Sequence, residues 1–184
     1  MKASLSSLQC RLMRYDADIK WVKPCHMHIS IKFLGNINDY TVNRLKNAVL
    51  KITESCPVIK INISGVGILS DSLQPRVIRA GVDNPPKELA NLYRHISCAC
   101  ENEGLPVDKR PFLPHISLGR IRKHGISPEL AKAIENESGF TAEEKITVKK
   151  IGLFSSLLTQ AGPQYLLLEE FRLAGAGKPA RPII

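Results

Sequence analysis

Two tetrapeptides, His28-Ile29-Ser30-Ile31 and His115-Ile116-Ser117-Leu118, repeat one order of imidazole, aliphatic, hydroxyl and aliphatic groups. The likeness continues downstream of each. A helical stretch follows, then Val66-Gly67-Ile68-Leu69 or Ile151-Gly152-Leu153-Phe154, then one more strand, Arg76–Val82 or Gln164–Leu173. A lone HxSx pair carries little information. A pair whose neighbours match at a nearly constant offset marks an internal duplication. The chain is expected to form two similar lobes related by a pseudo-twofold axis, with a cleft between them and the two HxS strands side by side near the axis.

On a strand, residues i and i+2 share a face. His28 and Ser30 therefore project together, as do His115 and Ser117. Two imidazoles that meet over one spot can divide the work of acid and base, because histidine titrates near neutrality. The hydroxyls can donate to the oxygens of a bound anion. Such a set suits in-line displacement at phosphorus: one imidazole takes a proton from attacking water, the other gives one to the leaving oxygen. That chemistry asks for no metal and no cofactor.

The remaining pattern is α+β. Leu5, Leu8 and Leu12 give residues 4–14 the spacing of an amphipathic helix. Ile19–Val22 is a short apolar-alternating run. Met27–Leu34 alternates cleanly, with His28, Ser30 and Lys32 on one side and Met27, Ile29, Ile31 and Phe33 on the other, which predicts a strand with one buried face. Asp39 is expected to cap a helix running to about Ser55. Strands are predicted over Val58–Leu69, with Gly65 and Gly67 at a bulge, and over Arg76–Val82, His115–Ile121, Ile146–Phe154 and Gln164–Leu173. Helices are predicted over 86–103, closed by Gly104, and from Ser127-Pro128 to Glu137. Several strands follow one another directly, so the sheets should be largely antiparallel with helices outside. Residues 1–175 read as one two-lobed domain, and 176–184 as a loose tail rich in Gly, Pro and basic residues.

Composition narrows the partners. Lys and Arg number 26 against 17 Asp and Glu, a net charge of +9 over 184 residues. An excess of that size favours a polyanion such as nucleic acid or nucleotide, although a solvated basic surface has the same arithmetic. The five cysteines form no CxxC pair, which points away from a secreted disulfide framework and toward a reducing cytoplasm. No apolar run reaches the roughly 18–20 residues of a membrane span, and nothing at the start reads as a signal peptide.

Other side chains are weaker candidates. His26 and His28 form an HxH pair beside Cys25, yet no matching cluster completes a zinc site. His95, Cys98 and Cys100 on the second long helix read as packing. Lys32 reads as a solvated lysine, and Arg120, Arg122, Lys123 and His124 as a basic segment that could attract RNA. Trp21, Phe33 and Phe112 lie near the motifs and have the shape to stack on a base. Gly65-Val66-Gly67 has no following Lys-Ser/Thr and is not a phosphate-binding P-loop.

Taken together, Lys20-Trp21-Val22, the stretch from His28 to Gly35, Arg76–Val82 and Pro111–Arg120 resemble the 2H phosphoesterase superfamily, whose signature is two H-x-[ST]-hydrophobic motifs. More narrowly they resemble its RNA 2′,3′-cyclic phosphodiesterases, also called the 2′-5′ RNA ligase family. The resemblance spans roughly residues 5–173. It implies a metal-independent hydrolase that opens a 2′,3′-cyclic phosphate at an RNA end to a 2′-phosphomonoester, some members also joining RNA reversibly by 2′-5′ linkages without ATP. By family role His28 is the proton donor to the leaving 3′ oxygen and His115 the acceptor that activates water. Ser30 and Ser117, where the family more often has Thr, hold the phosphate, and Arg120 helps neutralise it. The implied partners are an RNA with a cyclic phosphate end, tRNA halves among them, or a cyclic nucleotide; the protein is expected to be a monomer away from membranes. The family normally opens with an apolar strand before the first helix, and none is visible ahead of Leu5. The alternative reading is a nucleotide- or RNA-binding module that keeps the site without turnover. Related chemistry on ADP-ribose 1″,2″-cyclic phosphate or a 2′-5′ oligoadenylate is a third.

Overall fold

A computed structural model describes residues 2–15, 18–71, 74–122, 125–159 and 162–176. The expected loose tail beyond Ala176, and Lys123 and His124 of the basic segment, lie outside these residues. In chain order the elements are α1 (Lys2–Leu12), β1 (Ile19–Trp21), a 3-10 turn (Pro24–His26), α2 (Asp39–Ser55), β2 (Ile59–Asp71), β3 (Gln74–Asp83) and α3 (Lys87–Asn102). Then come β4 (His115–Ile121), α4 (Pro128–Asn136), β5 (Ile146–Val148), β6 (Lys150–Thr159) and β7 (Gly162–Arg172). The mixed α+β class is as expected, and the ladders β1–β4, β2–β3, β3–β4 and β6–β7 are all antiparallel.

Two compact units divide the chain. The first comprises Met1–Ile31, Ile61–Pro85 and Phe112–Ile146; the second comprises Lys32–Lys60, Pro86–Pro111 and Thr147–Ile184.

The first unit is built on a five-stranded sheet in the order β1-β4-β3-β2-β5. Alternation on the strands sends one set of side chains to the core: Ile63, Ile78, Ala80, Ile116 and Leu118 are at most 2% exposed. Helix α1 adds Leu5, Leu8 and Leu12, spaced three and four apart and fully buried or nearly so. Each such leucine is worth about 1.5–3 kcal/mol of burial. Gln9, on the same buried side, donates from Nε2 to Val22 O and to Leu118 O, both at 2.8 Å. It thereby ties α1 to β4 and to the chain just beyond β1. Helix α4 starts where Ser127 Oγ accepts from Leu130 N, with Pro128 in its first turn. Gly65, at φ +74°, forms the expected bulge in β2, where the register shifts between Ser64 and Val66.

The second unit holds α2, α3 and the β6–β7 hairpin. The cap of α2 is Asn38 rather than the expected Asp39: Asn38 Oδ1 accepts from Thr41 N at 2.8 Å. Asp39 takes the first helical position, where its carboxylate faces the positive end of the helix dipole. Gly104, at φ +78°, closes α3 as expected.

Two predicted strands differ. The run Ile146–Phe154 is broken at Lys149, with β5 joining the five-stranded sheet and β6 pairing only with β7. The run Met27–Leu34 forms no ladder; its one rung is a bridge between Ile29 and Ile116. β1 pairs with β4 farther along, through Ile19–Ile121, Lys20–Arg120 and Trp21–Gly119. Past Ile31 the alternation inverts. Phe33 is 79% exposed, while the Lys32 side chain is only 3% exposed and sits 2.8 Å from Asp108 Oδ2. Lys32 is thus a buried structural cation, not the solvated lysine the pattern suggested.

Candidate active site

Both HxS motifs belong to the first unit. The Ile29–Ile116 bridge joins the two motifs. That bridge is antiparallel, so its register, carried one residue either way, sets His28 against Ser117 and Ser30 against His115. Opposed residues on such a pair share a face, with β-carbons about 4.5–5.5 Å apart, and the diagonal neighbours about 7–8 Å apart. The bridge brings the two motifs' backbones together, each of the four polar residues standing one position from Ile29 or Ile116. Ile116, 2% exposed, turns to the core on the other face. His28 is exposed, and Ser30, His115 and Ser117 are half-buried.

The two imidazoles are held in the same way. His28 Nδ1 lies 2.6 Å from His26 O, and His115 Nδ1 lies 2.7 Å from Leu113 O. A backbone carbonyl can only accept, so each Nδ1 carries the proton and donates it. Each ring is thereby oriented by the carbonyl two residues before it, and Nε2 is the nitrogen through which proton exchange with a ligand runs. The local sequence explains the match. Pro24 opens the turn that presents His26 O, and Pro114 breaks the backbone ahead of β4, leaving Leu113 O directed back at His115. The turn is what the alternating pattern concealed.

His26 serves this geometry through its backbone. Among the described residues no three His, Cys, Asp or Glu side chains gather as a metal site would need, and the HxH pair has no such company there. Cys100 is buried on α3, and burial holds its thiol above the usual range, in line with a packing role. Cys98 on the same helix is exposed.

Arg120 lies on β4, paired with Lys20 on β1 and Val77 on β3. A register shift between Ile78 and Arg79 leaves Leu118 as the extra residue of β4. Buried Leu118 and Ile121 then face the core, while exposed Arg120 points to the same side of the sheet as His115 and Ser117. Of the five expected site residues, His115, Ser117 and Arg120 lie on β4, and His28 and Ser30 flank the residue that bridges to it.

The sequence pattern passed over a sixth. Arg79 is the β3 partner of Ser117, and Gly81 the partner of His115. Ile78 and Ala80 are fully buried, so Arg79 projects on the side of the histidines. Its Nε is buried and has no hydrogen-bond partner among the described residues. The alternation of Arg76–Val82 was enough to put Arg79 on a polar face; only the β3–β4 register brings it to Ser117.

Comparison with known proteins agrees with this architecture. The family model for LigT-like phosphoesterases matches residues 1–79 and 81–165. An RNA 2′,3′-cyclic phosphodiesterase of Aquifex aeolicus is 31% identical over 160 residues, 85% of this chain and 82% of the relative. One from Methanothermobacter thermautotrophicus is 29% identical over 173 residues, 94% of this chain and 92% of the relative. Among solved structures, the TT0787 protein of Thermus thermophilus superposes with a TM-score of 0.79 at 21% identity, covering 95% of this chain and 92% of the other. The LigT protein of E. coli, solved with 3′-AMP, gives 0.75 at 20% identity, covering 94% and 92%. At that identity the likeness is one of fold.

Proposed function

The chain belongs to the LigT-like phosphoesterase family, and from that membership and the twin histidines we propose that it hydrolyses the 2′,3′-cyclic phosphate at an RNA end, leaving a 2′-phosphomonoester. The observation that carries the reading is the matched pair of Nδ1–carbonyl bonds at His28 and His115. It gives both rings the same tautomer and directs both proton exchanges to Nε2.

The roles divide as follows. His115 Nε2, neutral at the start, takes a proton from water as the oxygen attacks phosphorus. His28 Nε2, protonated at the start, gives a proton to the 3′ oxygen as the P–O3′ bond breaks. The 2′ oxygen keeps the phosphate. One proton has entered one ring and left the other, and exchange with solvent restores both. Ser30 and Ser117 donate their hydroxyl protons to phosphoryl oxygens, each standing opposite a histidine by the bridge register. Arg120 supplies positive charge farther along β4. If a ribose 5′-hydroxyl replaces water, the same step forms a 2′-5′ linkage without ATP, and its reversal cleaves one. The partner is then an RNA with a cyclic end or a cyclic nucleotide. A net charge of +9 favours its approach.

The test is product analysis on an RNA oligomer ending in a 2′,3′-cyclic phosphate. Conversion to the 2′-phosphate supports the reading and the direction of acid catalysis. Conversion to the 3′-phosphate reverses the two histidine roles. Binding of 2′-AMP with no turnover selects a non-catalytic binding module instead.

A further inference from the structure

Among the described residues Arg79 is a cation without a counter-charge, set where a β-carbon at its partner Gly67 would meet nothing. Its strand neighbours Ile78 and Ala80 are fully buried, so it leaves the sheet on the histidine-bearing face. On one side it pairs with Ser117, and on the other with Gly67. A β-carbon at Gly67 would meet nothing within 4 Å, whereas one at Gly81 would lie 2.9 Å from Arg79 Nη1. The guanidinium therefore runs along its own strand and over Gly81, in space that any side chain at 81 would contest. Gly81 is the partner of His115, so the guanidinium ends beside the row that holds His115 and Ser30. Two rows of the sheet read Ser117–Arg79 and His115–Gly81, with Ile29 of the first motif bridged to Ile116 between them.

A guanidinium has five N–H donors and no acceptor. Sealing one of them away from water without a partner is costly. Arg79 Nε is in that state among the described residues, and no described carboxylate forms an ion pair with the side chain. Arg79 as a whole is only half-buried, so the outer part of its guanidinium, not Nε, is what an acceptor can reach, and the neighbouring hydroxyls and imidazoles specify an anion with several oxygens.

We propose that Arg79 is a phosphate-binding residue, donating to the non-bridging oxygens of the phosphate that lies between His28 and His115. This rests on the phosphodiesterase reading and adds a specific ligand contact to it. The planar fork of an arginine fits two phosphoryl oxygens at once, which a lysine cannot reproduce. Negative charge on those oxygens grows as water adds to phosphorus, so the contact strengthens toward the transition state, and its loss falls on kcat as well as on KM.

The test compares wild type, Arg79→Met, Arg79→Lys and His28→Ala. Hydrolysis of 2′,3′-cyclic AMP is followed by chromatography, 2′-AMP and inorganic phosphate are titrated calorimetrically, and thermal unfolding is recorded. Arg79→Met is expected to lower kcat/KM about 10- to 100-fold and weaken 2′-AMP about tenfold or more, as loss of a charged hydrogen bond does. Arg79→Lys should fall between the two. Because the Arg79 side chain bonds to no described residue, the Tm of Arg79→Met should not drop, whereas a structural arginine would lower it. Wild-type kcat/KM and 2′-AMP affinity in Arg79→Met, beside an inactive His28→Ala, would overturn the assignment while leaving the phosphodiesterase reading intact. If wild type hydrolyses no cyclic phosphate, that reading fails instead. Arg79 is then decided by inorganic phosphate alone: weaker binding in Arg79→Met upholds an anion site, and equal binding rejects it.

Discussion

Ile29 and Ile116 face each other across an antiparallel bridge, and the disposition of both motifs follows from that rung. Ile116 is buried and Ile29 half-buried, and His28, Ser30, His115 and Ser117 flank them one residue to either side. A slip of one residue would exchange the two sets. The register is secured on the far edge of β4, where Ala80 pairs with Ile116 and both are buried.

His28→Ala and His115→Ala should each lower kcat for a 2′,3′-cyclic nucleotide by about 10²–10⁴-fold, the range for losing a positioned acid or base. Both rings are at least partly exposed, so the circular dichroism spectrum and Tm should stay near wild type. The pH profile of wild-type kcat/KM should be bell-shaped, since one ring must be neutral and the other charged. In each variant the limb belonging to the missing group should disappear. Full activity in either variant would remove the paired-histidine mechanism.

Ser30→Ala and Ser117→Ala should each lower kcat/KM about tenfold, the worth of a hydrogen bond to a charged group. Ser→Thr at either position keeps the hydroxyl and adds a methyl on a half-buried face, so at least half of the activity should survive. Steady-state kinetics on a cyclic nucleotide separates the two substitutions. Equal losses in Ala and Thr variants would mean that side-chain volume rather than the hydroxyl matters.

The chain made some of this legible and hid the rest for physical reasons. β4 could be read because His115–Ile121 is a central strand whose alternation survives in the fold. Leu5, Leu8 and Leu12 gave α1 by spacing alone. The segment after Met27 misled because alternation reports a buried face, not a pairing partner, and this segment meets β4 through one bridge alone. The carbonyls that orient the histidines come from Pro-directed backbone, which no side-chain pattern encodes. Arg79 was hidden because its meaning depends on register: the sequence gives its face, and only pairing gives its neighbour. Lys32 misled for a related reason, since its partner Asp108 lies far along the chain.

Gln9→Leu should destabilise the first unit by about 1–3 kcal/mol, the penalty for stranding buried acceptors. Gln9 is 5% exposed, and its amide satisfies Val22 O and Leu118 O together. Leu118 O also accepts from Val22 N, so the cost should sit toward the low end. Val22 lies two residues ahead of Pro24, where the turn that carries His26 O begins. The variant should therefore also lose activity at temperatures well below its Tm. Urea unfolding and kinetics on the same preparation check both effects; an unchanged urea midpoint would refute the tie between α1 and β4.

Asp108 should make the stability of the second unit depend on acid pH. Its carboxylate accepts from Lys32 and from Tyr93 Oη, and the Lys32 bond, then Tyr93, holds its pKa below the ordinary 3.8. The folded state therefore binds fewer protons than the unfolded state around that pH. The stabilisation is complete above the ordinary carboxylate value and is lost as pH falls through the depressed one. Asp108 is 39% exposed, so solvent screening keeps the effect modest. Glu137, lowered by its bond to Arg11, adds a slope of the same sign from the first unit. Asp108→Ala should cost about 1–3 kcal/mol at neutral pH, because it leaves the nearly buried Lys32 ammonium without its carboxylate. It should also flatten the fall in stability below about pH 4 without abolishing it. Urea midpoints from pH 3 to 7 for wild type, Asp108→Ala and Glu137→Gln measure the two contributions. Parallel curves for wild type and Asp108→Ala would show that the Lys32–Asp108 pair does not carry the acid dependence assigned to it.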